Sequence, residues 1–357
     1  MNQKAKITFQ SVCLLDHTRT NQGQVLKTER QSSAVYVRFI LFLILLHTLS
    51  IDYRINVTYI TFGGHVEVQK YRYLYFVVMF TVYMLIISSN FTIVFIIIIH
   101  KNLHEPMYIF IAALLINSVL FSTAIYPKLL IDFLSEKQII SYPACLFQWF
   151  LYYWLAASDI FLLSIMAYDR YVSICNPLKY TTIMQKNTVN IFLFSAWILP
   201  VSWFLVGFLL NAKNKICQFH LKGILCNSTI QTLQCVRSRI LNIYGLFLLV
   251  TFLIVPVLFI LFTYSRILVV SYRCRGVRRR AAQTCLPHLL VLINFSCLTA
   301  YDVLLARLEP DSSNIVRLIM ALQVVIYHPL FNPIIYGLKI RRIYDHLKKL
   351  FCRMVSC

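Results

Sequence analysis

Residues 166–180 read MAYDRYVSICNPLKY. Tyr168, Asp169, Arg170 and Tyr171 stand where about twenty apolar residues end and a proline-terminated loop begins. An adjacent Asp169–Arg170 pair is costly to hold at membrane depth, so it marks function, the membrane edge, or both. The preceding run matches the roughly 20 residues that a helix needs to cross a bilayer. The stretch therefore reads as a spanning helix that ends on a charged pair.

Working outward, the whole chain fits a membrane protein. Of its 357 residues, 59% are hydrophobic and 13% charged, with mean hydropathy +0.70, whereas a soluble domain carries about 25% charge. Seven apolar runs are long enough to span, at about 74–99, 106–131, 146–168, 190–212, 241–270, 285–306 and 315–338. They predict an all-α membrane protein. The fifth run is over-long, so its last turns, Tyr264 to Val270, are expected to project into the cytoplasm. No internal repeat is visible, which counts against the repeated halves of many transporters.

The net charge of +21 would suggest nucleic acid in a soluble protein. Here the basic residues cluster in short loops, where they orient spans, and no basic stretch interleaved with exposed aromatics on a polar domain supports nucleic-acid binding. Lys101, Lys179, Lys186, the run Arg273, Arg275, Arg278, Arg279, Arg280 and the tail residues Lys339 to Arg353 fall on one side. That side is expected to be cytoplasmic, with the N-terminus outside at the plasma membrane. Of eleven cysteines, Cys145, Cys217, Cys226 and Cys235 then face outside, where disulfides persist and where four cysteines allow three pairings. Cys175, Cys274, Cys352 and Cys357 face the cytoplasm, and Cys285 and Cys297 lie within a span.

The expected organisation is an N-terminal extension over 1–51, an extracellular N-terminus over 52–73, a seven-helix domain over 74–338 and a cytoplasmic tail over 339–357. Within the extension, Phe39 to Leu46 is an apolar run of eight, too short to span. It reads either as a signal-like core or, the favoured reading, as part of a mis-assigned start. Asn56-Val57-Thr58 is a glycosylation acceptor on the outer side. Asn227-Ser228-Thr229 is a second outer sequon, beside Cys226. Asn90-Phe91-Thr92 and Asn294-Phe295-Ser296 lie inside spans.

MAYDRYxxIxxPLxY resembles the cytoplasmic end of the third helix of rhodopsin-like G-protein-coupled receptors, and of odorant receptors in particular. Lys101 to Tyr108 (KNLHEPMY), Tyr126-Pro127-Lys128, Arg280 to Leu290 (RAAQTCLPHLL) and Asn332-Pro333-Ile334-Ile335-Tyr336 match the same family, so the resemblance covers roughly 55–345. HEPMYIF and the end of helix two lean toward its fish branch. The resemblance implies a seven-helix rhodopsin-like bundle with a short cytoplasmic amphipathic helix. It also implies a coupling switch of Asp169, Arg170, Tyr171, Tyr264, His288, Asn332, Pro333 and Tyr336, in which Asp169 holds Arg170 until a ligand biases a two-state element. The family pattern implies the disulfides Cys145–Cys226 and Cys217–Cys235.

Buried polar residues in spans point to function. Asn90, Asp159 and Asn332 are candidates for a sodium or water site. Rhodopsin-like receptors usually place an aspartate in helix two, but here Ile116-Asn117-Ser118 supplies no acid. The ligand pocket is expected in the outer half of the bundle, lined by Tyr152, Tyr153 and Ala156 of span three, Leu248, Leu249 and Phe252 of span five, Thr299, Ala300 and Val303 of span six, and Leu322 and Val325 of span seven. Tyr152 stands where amine receptors hold their ammonium group, which argues against a biogenic amine. Arg307 is a candidate for attracting an acidic ligand. The basic run and tail are expected to meet anionic lipid, with Cys352 and Cys357 as candidate acylation sites.

No HExxH, GxSxG or phosphate-binding glycine loop is present, so neither an enzyme nor a cofactor is expected. The leading reading is a receptor for a small-molecule odorant that activates a stimulatory, olfactory-type heterotrimeric G protein. The alternative is a polytopic transporter or channel.

Overall fold

The computed structural model describes residues 58–65, 67–236, 238–273 and 314–355, together with Leu289, Ile293, Ser296 and Cys297. The N-terminal extension, Asn56 and most of span six, including His288, Thr299, Ala300, Val303 and Arg307, lie outside the described residues. Six helices among the described residues are long and apolar enough to cross a membrane. Spans one to four are Val68–Ile99, Pro106–Leu134, Tyr142–Cys175 and Lys186–Ala212. Span five runs as Arg239–Leu249, a π turn Val250–Ile254 and Val255–Arg273. Span seven is Asn314–Lys339, and a terminal helix Arg341–Val355 follows it.

These helices outrun the apolar stretches that announce them. Span one starts at Val68 rather than 74, and its added turn, VQKYRY, carries the Tyr, Lys and Arg favoured at a membrane–water interface. The 34 residues of span three measure about 51 Å at 1.5 Å per residue, against a hydrocarbon core of about 30 Å. The Asp169 turn thus continues the helix beyond the core, which helical backbone allows because it satisfies its own hydrogen bonds. In spans two and three, 78% of the most apolar window is buried, against 22–39% in the other four. Spans two and three therefore form the centre, and the others turn apolar side chains such as Phe95, Phe194 and Phe262 outward.

Proline shapes spans seven and five in definable ways. Pro333 has no N–H, so the carbonyl four residues back, that of Pro329, loses its helical partner. Asn90 of span one donates its amide to that carbonyl at 2.9 Å and to Ile86 O at 2.7 Å. Replacing Asn90 with leucine is expected to leave the buried Pro329 carbonyl without its side-chain donor, at a cost of about 1–3 kcal/mol. Thermal unfolding of the purified protein would show this as a midpoint several degrees lower; an unchanged midpoint would sink it. In span five the π turn ends two residues before Pro256, where a regular helix would meet the proline ring. The turn leaves Phe252 and Leu253 facing inward.

The last part of span five packs against the bundle. Tyr264 and Ile267 are buried in a cluster with Met166 and Ala167 of span three, Tyr336 of span seven and Ile343 of the terminal helix. They sit three residues apart on one helical face, which packs inward while Leu268 and Val269 stay exposed. Arg342 bonds Glu105 at 2.6 Å and Asn102 meets His346 at 3.3 Å, so the terminal helix docks against the start of span two and the loop before it.

At the opposite end from Arg170 lies a three-stranded sheet. Its strands are β1 (Tyr59–Phe62), β2 (Ile139–Ser141) and β3 (His220–Leu221), in the order β2-β1-β3. β1 pairs antiparallel with β2 and parallel with β3, burying Ile60, Ile140 and Leu221. Beyond β1, Gly64 runs so close to Gly223 that a Cβ there would stand 2.7 Å from a backbone carbon. The sheet binds the segment before span one to the loops after spans two and four.

Candidate functional site

At the Arg170 end, the Asp169 carboxylate is fully buried. Arg170 donates to its Oδ2 from Nε at 2.9 Å and from Nη2. Tyr180, eleven residues on in the following loop, donates its hydroxyl to Oδ1 at 2.8 Å. Burial and then the Asp169 charge hold the Tyr180 phenol above its ordinary value, so it stays a donor. One buried carboxylate thus clamps its neighbouring guanidinium and the loop together. Tyr171 packs against the cluster that holds Tyr264 and Tyr336.

Midway along the bundle, polar side chains link spans one, two, three, four and seven. Asn332 donates to Ser118 Oγ at 3.0 Å, Asn117 to Leu155 O at 2.8 Å, and Trp197 to Asn117 Oδ1 at 2.9 Å. Asp159 is fully buried, and its Oδ2 lies 3.5 Å from Nδ1 of His328 on span seven. Of the sequence candidates here, Asn90 and Asn332 reach a backbone carbonyl and a serine, while Asp159 meets a histidine that motif reading passed over.

At the far end, Cys145 is bonded to Cys226 and Cys217 to Cys235, with Cα atoms 5.4 and 4.7 Å apart, as the family pattern implied. The first bridge lays the loop after span four over the helix ends. Gln148 accepts from Cys226 N at 3.2 Å and Tyr153 from Ser228 N at 2.8 Å, while Leu225, Ile230 and Leu233 bury their side chains. Asn227 uses its Oδ1 to accept from both the amide and the hydroxyl of Thr229, capping the short helix Ser228–Leu233.

Beneath this lid the candidate pocket residues fall into place unequally. Tyr152, Ala156, Leu248, Phe252 and Val325 are buried; Tyr153, Leu249 and Leu322 are half-buried. A run of ring contacts joins several of them, with centroids 4.9 Å apart for Tyr152–Tyr153, 6.0 Å for Tyr153–Phe204 and 5.5 Å for Phe204–Phe252. Phe121 of span two touches Tyr152 at 5.4 Å and His328 at 6.4 Å. Phe121, Phe204 and His328 were absent from the sequence candidates because a lone aromatic or histidine in an apolar run carries no periodic signal. No group of three or more His, Cys, Asp or Glu side chains arranged for a metal occurs among the described residues.

Comparison with known proteins agrees with this geometry. The family model described as Olfactory receptor matches residues 79–354. Olfactory receptor 11A1 of Homo sapiens is 33% identical over 299 residues, covering 81% of this chain and 92% of its own. Olfactory receptor 1E16 of Mus musculus is 31% identical over 294 residues, covering 80% and 91%. Among solved structures, the crystal structure of squid rhodopsin superposes with a TM-score of 0.67 at 18% identity, covering 82% of this chain and 88% of that one. The fold is thus the seven-helix rhodopsin-like bundle of a multi-pass membrane protein, a receptor rather than an enzyme, and the chain belongs to the olfactory receptor family.

Proposed function

We propose that this receptor binds a small odorant beneath the disulfide-tied lid and activates a stimulatory, olfactory-type heterotrimeric G protein at the Arg170 end. The lid end faces outside and the terminal helix faces the cytoplasm at the plasma membrane, an orientation supported by the basic loops and by the two disulfides of the described residues, both at the lid end. The clamp on Asp169 carries the reading. It holds a cation ready at the mouth of the bundle, while Tyr264 and Tyr336 pack behind it from spans five and seven. His288 of span six belongs to the same switch by its place in the family motif. The odorant contacts Tyr152, Tyr153, Ala156, Leu248, Leu249, Phe252, Leu322 and Val325, with Thr299, Ala300 and Val303 completing the wall from span six. The exposed Arg341, Arg342, Lys348 and Lys349 of the terminal helix meet anionic lipid.

The test is a cAMP reporter in cells expressing the full chain, screened with amino acids, bile acids, short carboxylates and alcohols. At least one class is expected to raise cAMP, and Arg170→Ala is expected to abolish the rise at equal surface level. A ligand-evoked ion current without any cAMP response would instead assign the chain to the channel class.

A further inference from the structure

Where the terminal helix meets the loop after span one, two imidazoles stack. The rings of His100 and His346 lie 3.8 Å apart between centroids, tilted by 44°. His100 Nδ1 is turned back to Ile96 O at 3.0 Å, and Asn102 sets its amide nitrogen 3.3 Å from His346 Nε2. An amide nitrogen only donates, so His346 has to keep a lone pair there. Apolar contacts hold the rest of the helix. Ile343 is fully buried, and Leu347 closes on Gly337 of span seven, where a Cβ would stand 3.2 Å from the leucine Cδ1. The Arg342–Glu105 pair is more than half exposed on both sides, and such a pair holds little.

Of these contacts, only the imidazoles change charge near neutral pH. Two of them in ring contact cannot both take a proton without mutual repulsion. Partial burial, then the His100 ring and Lys349, hold the His346 imidazole below its ordinary value, against the pull of Asp345. The other charged or titratable groups around the pair are Lys101, His104 and Glu105 of the loop, Tyr108 of span two and Arg342 of the terminal helix. Glu105 and Tyr108 are taken up by Arg342, and His104 Nε2 meets Ile98 O at 3.1 Å. We propose that the His100–His346 stack is a proton-sensitive latch, docking the terminal helix while the rings are unprotonated and releasing it as acid charges both. A helix that has let go returns His346 to its ordinary value and binds more protons. Docking is therefore complete above that value and is lost as pH falls from it toward the lower, docked one. The latch does not depend on which odorant binds or which G protein is activated.

The test is hydrogen–deuterium exchange of the full chain in lipid nanodiscs at about pH 7.5 and about pH 5.5, either side of the ordinary imidazole value, with times scaled for the intrinsic pH dependence of amide exchange. Protection over 341–355 is expected to fall by about fivefold at the lower pH, the weight of two unit charges about 4 Å apart in water, while span three keeps its protection. His346→Gln should remove the response, and His104→Gln, outside the stack, should keep it. Asn102→Asp places a carboxylate where the proton arrives and should keep the helix protected at the lower pH. Wild-type protection that ignores pH would overturn the proposal, as would a fall in His346→Gln as large as the wild type's. If His346→Gln leaves the helix loose at both pH values, Asn102→Asp decides: a loss equal to the wild type's sinks the latch, and retained protection sustains it.

Discussion

Asp169→Asn is expected to raise ligand-independent cAMP, and Arg170→Ala to silence the receptor, both at unchanged surface level. The opposite signs follow from the geometry. The carboxylate restrains the guanidinium through two donors and the loop through Tyr180. Neutralising it frees the cation, whereas truncating Arg170 removes what the G protein would meet. Removing one partner of a fully buried pair costs about 3–5 kcal/mol. Arg170 is 16% exposed, and solvent screening reduces the figure to roughly 2 kcal/mol. At about 1.4 kcal/mol per tenfold, the open state gains roughly 30-fold in population. Tyr180→Phe removes one neutral donor and should shift the same balance by about 1 kcal/mol, or fivefold. Basal cAMP unchanged in Asp169→Asn, together with signalling that survives Arg170→Ala, would refute the switch.

The second large effect concerns the lid. Removing the Cys145–Cys226 bridge by a double serine substitution is expected to destabilise the receptor more than removing Cys217–Cys235. The first closes a loop of 81 residues and the second one of 18. Chain entropy assigns them about 4.5 and 3 kcal/mol. The larger bridge also positions Cys226 N–H for Gln148 and the Ser228 amide for Tyr153. Its loss should therefore lower the unfolding midpoint further and retain more protein inside the cell, while the 217–235 variant still reaches the surface. Equal midpoints and equal surface levels for the two variants would refute the ranking.

What the sequence made legible follows from how each feature is encoded. Spans one to five and seven were visible because each needs about twenty consecutive apolar residues, and the Asp169 clamp because its residues are adjacent. The disulfides followed from likeness to a family; four cysteines alone left three pairings open. Tyr180 escaped because its bond to Asp169 depends on how a loop folds back, and eleven residues of spacing do not state that. Tyr264 was named only by likeness to the family, because a uniformly apolar helix hides which face packs. His328 looked like an ordinary neighbour of a proline motif, and only the fold of span three brought Asp159 beside it. YITF at 59–62 is made of strand-favouring residues and stops at Gly63-Gly64, but so short a run does not declare a strand when its partners lie in distant loops.

That strand also sets a clock on biogenesis. β1 leaves the ribosome before its partners, and His220, which pairs with Thr61, lies 159 residues later. At a synthesis rate of about 5–20 residues per second, the gap is roughly 10–30 s. Four spans must be inserted before β3 emerges, and through that time the early strand presents an unpaired edge, the kind of surface that recruits wrong partners. Maturation of the lid is therefore late, so a product truncated before residue 220 would keep the β1–β2 pair but leave the β3 edge of β1 open.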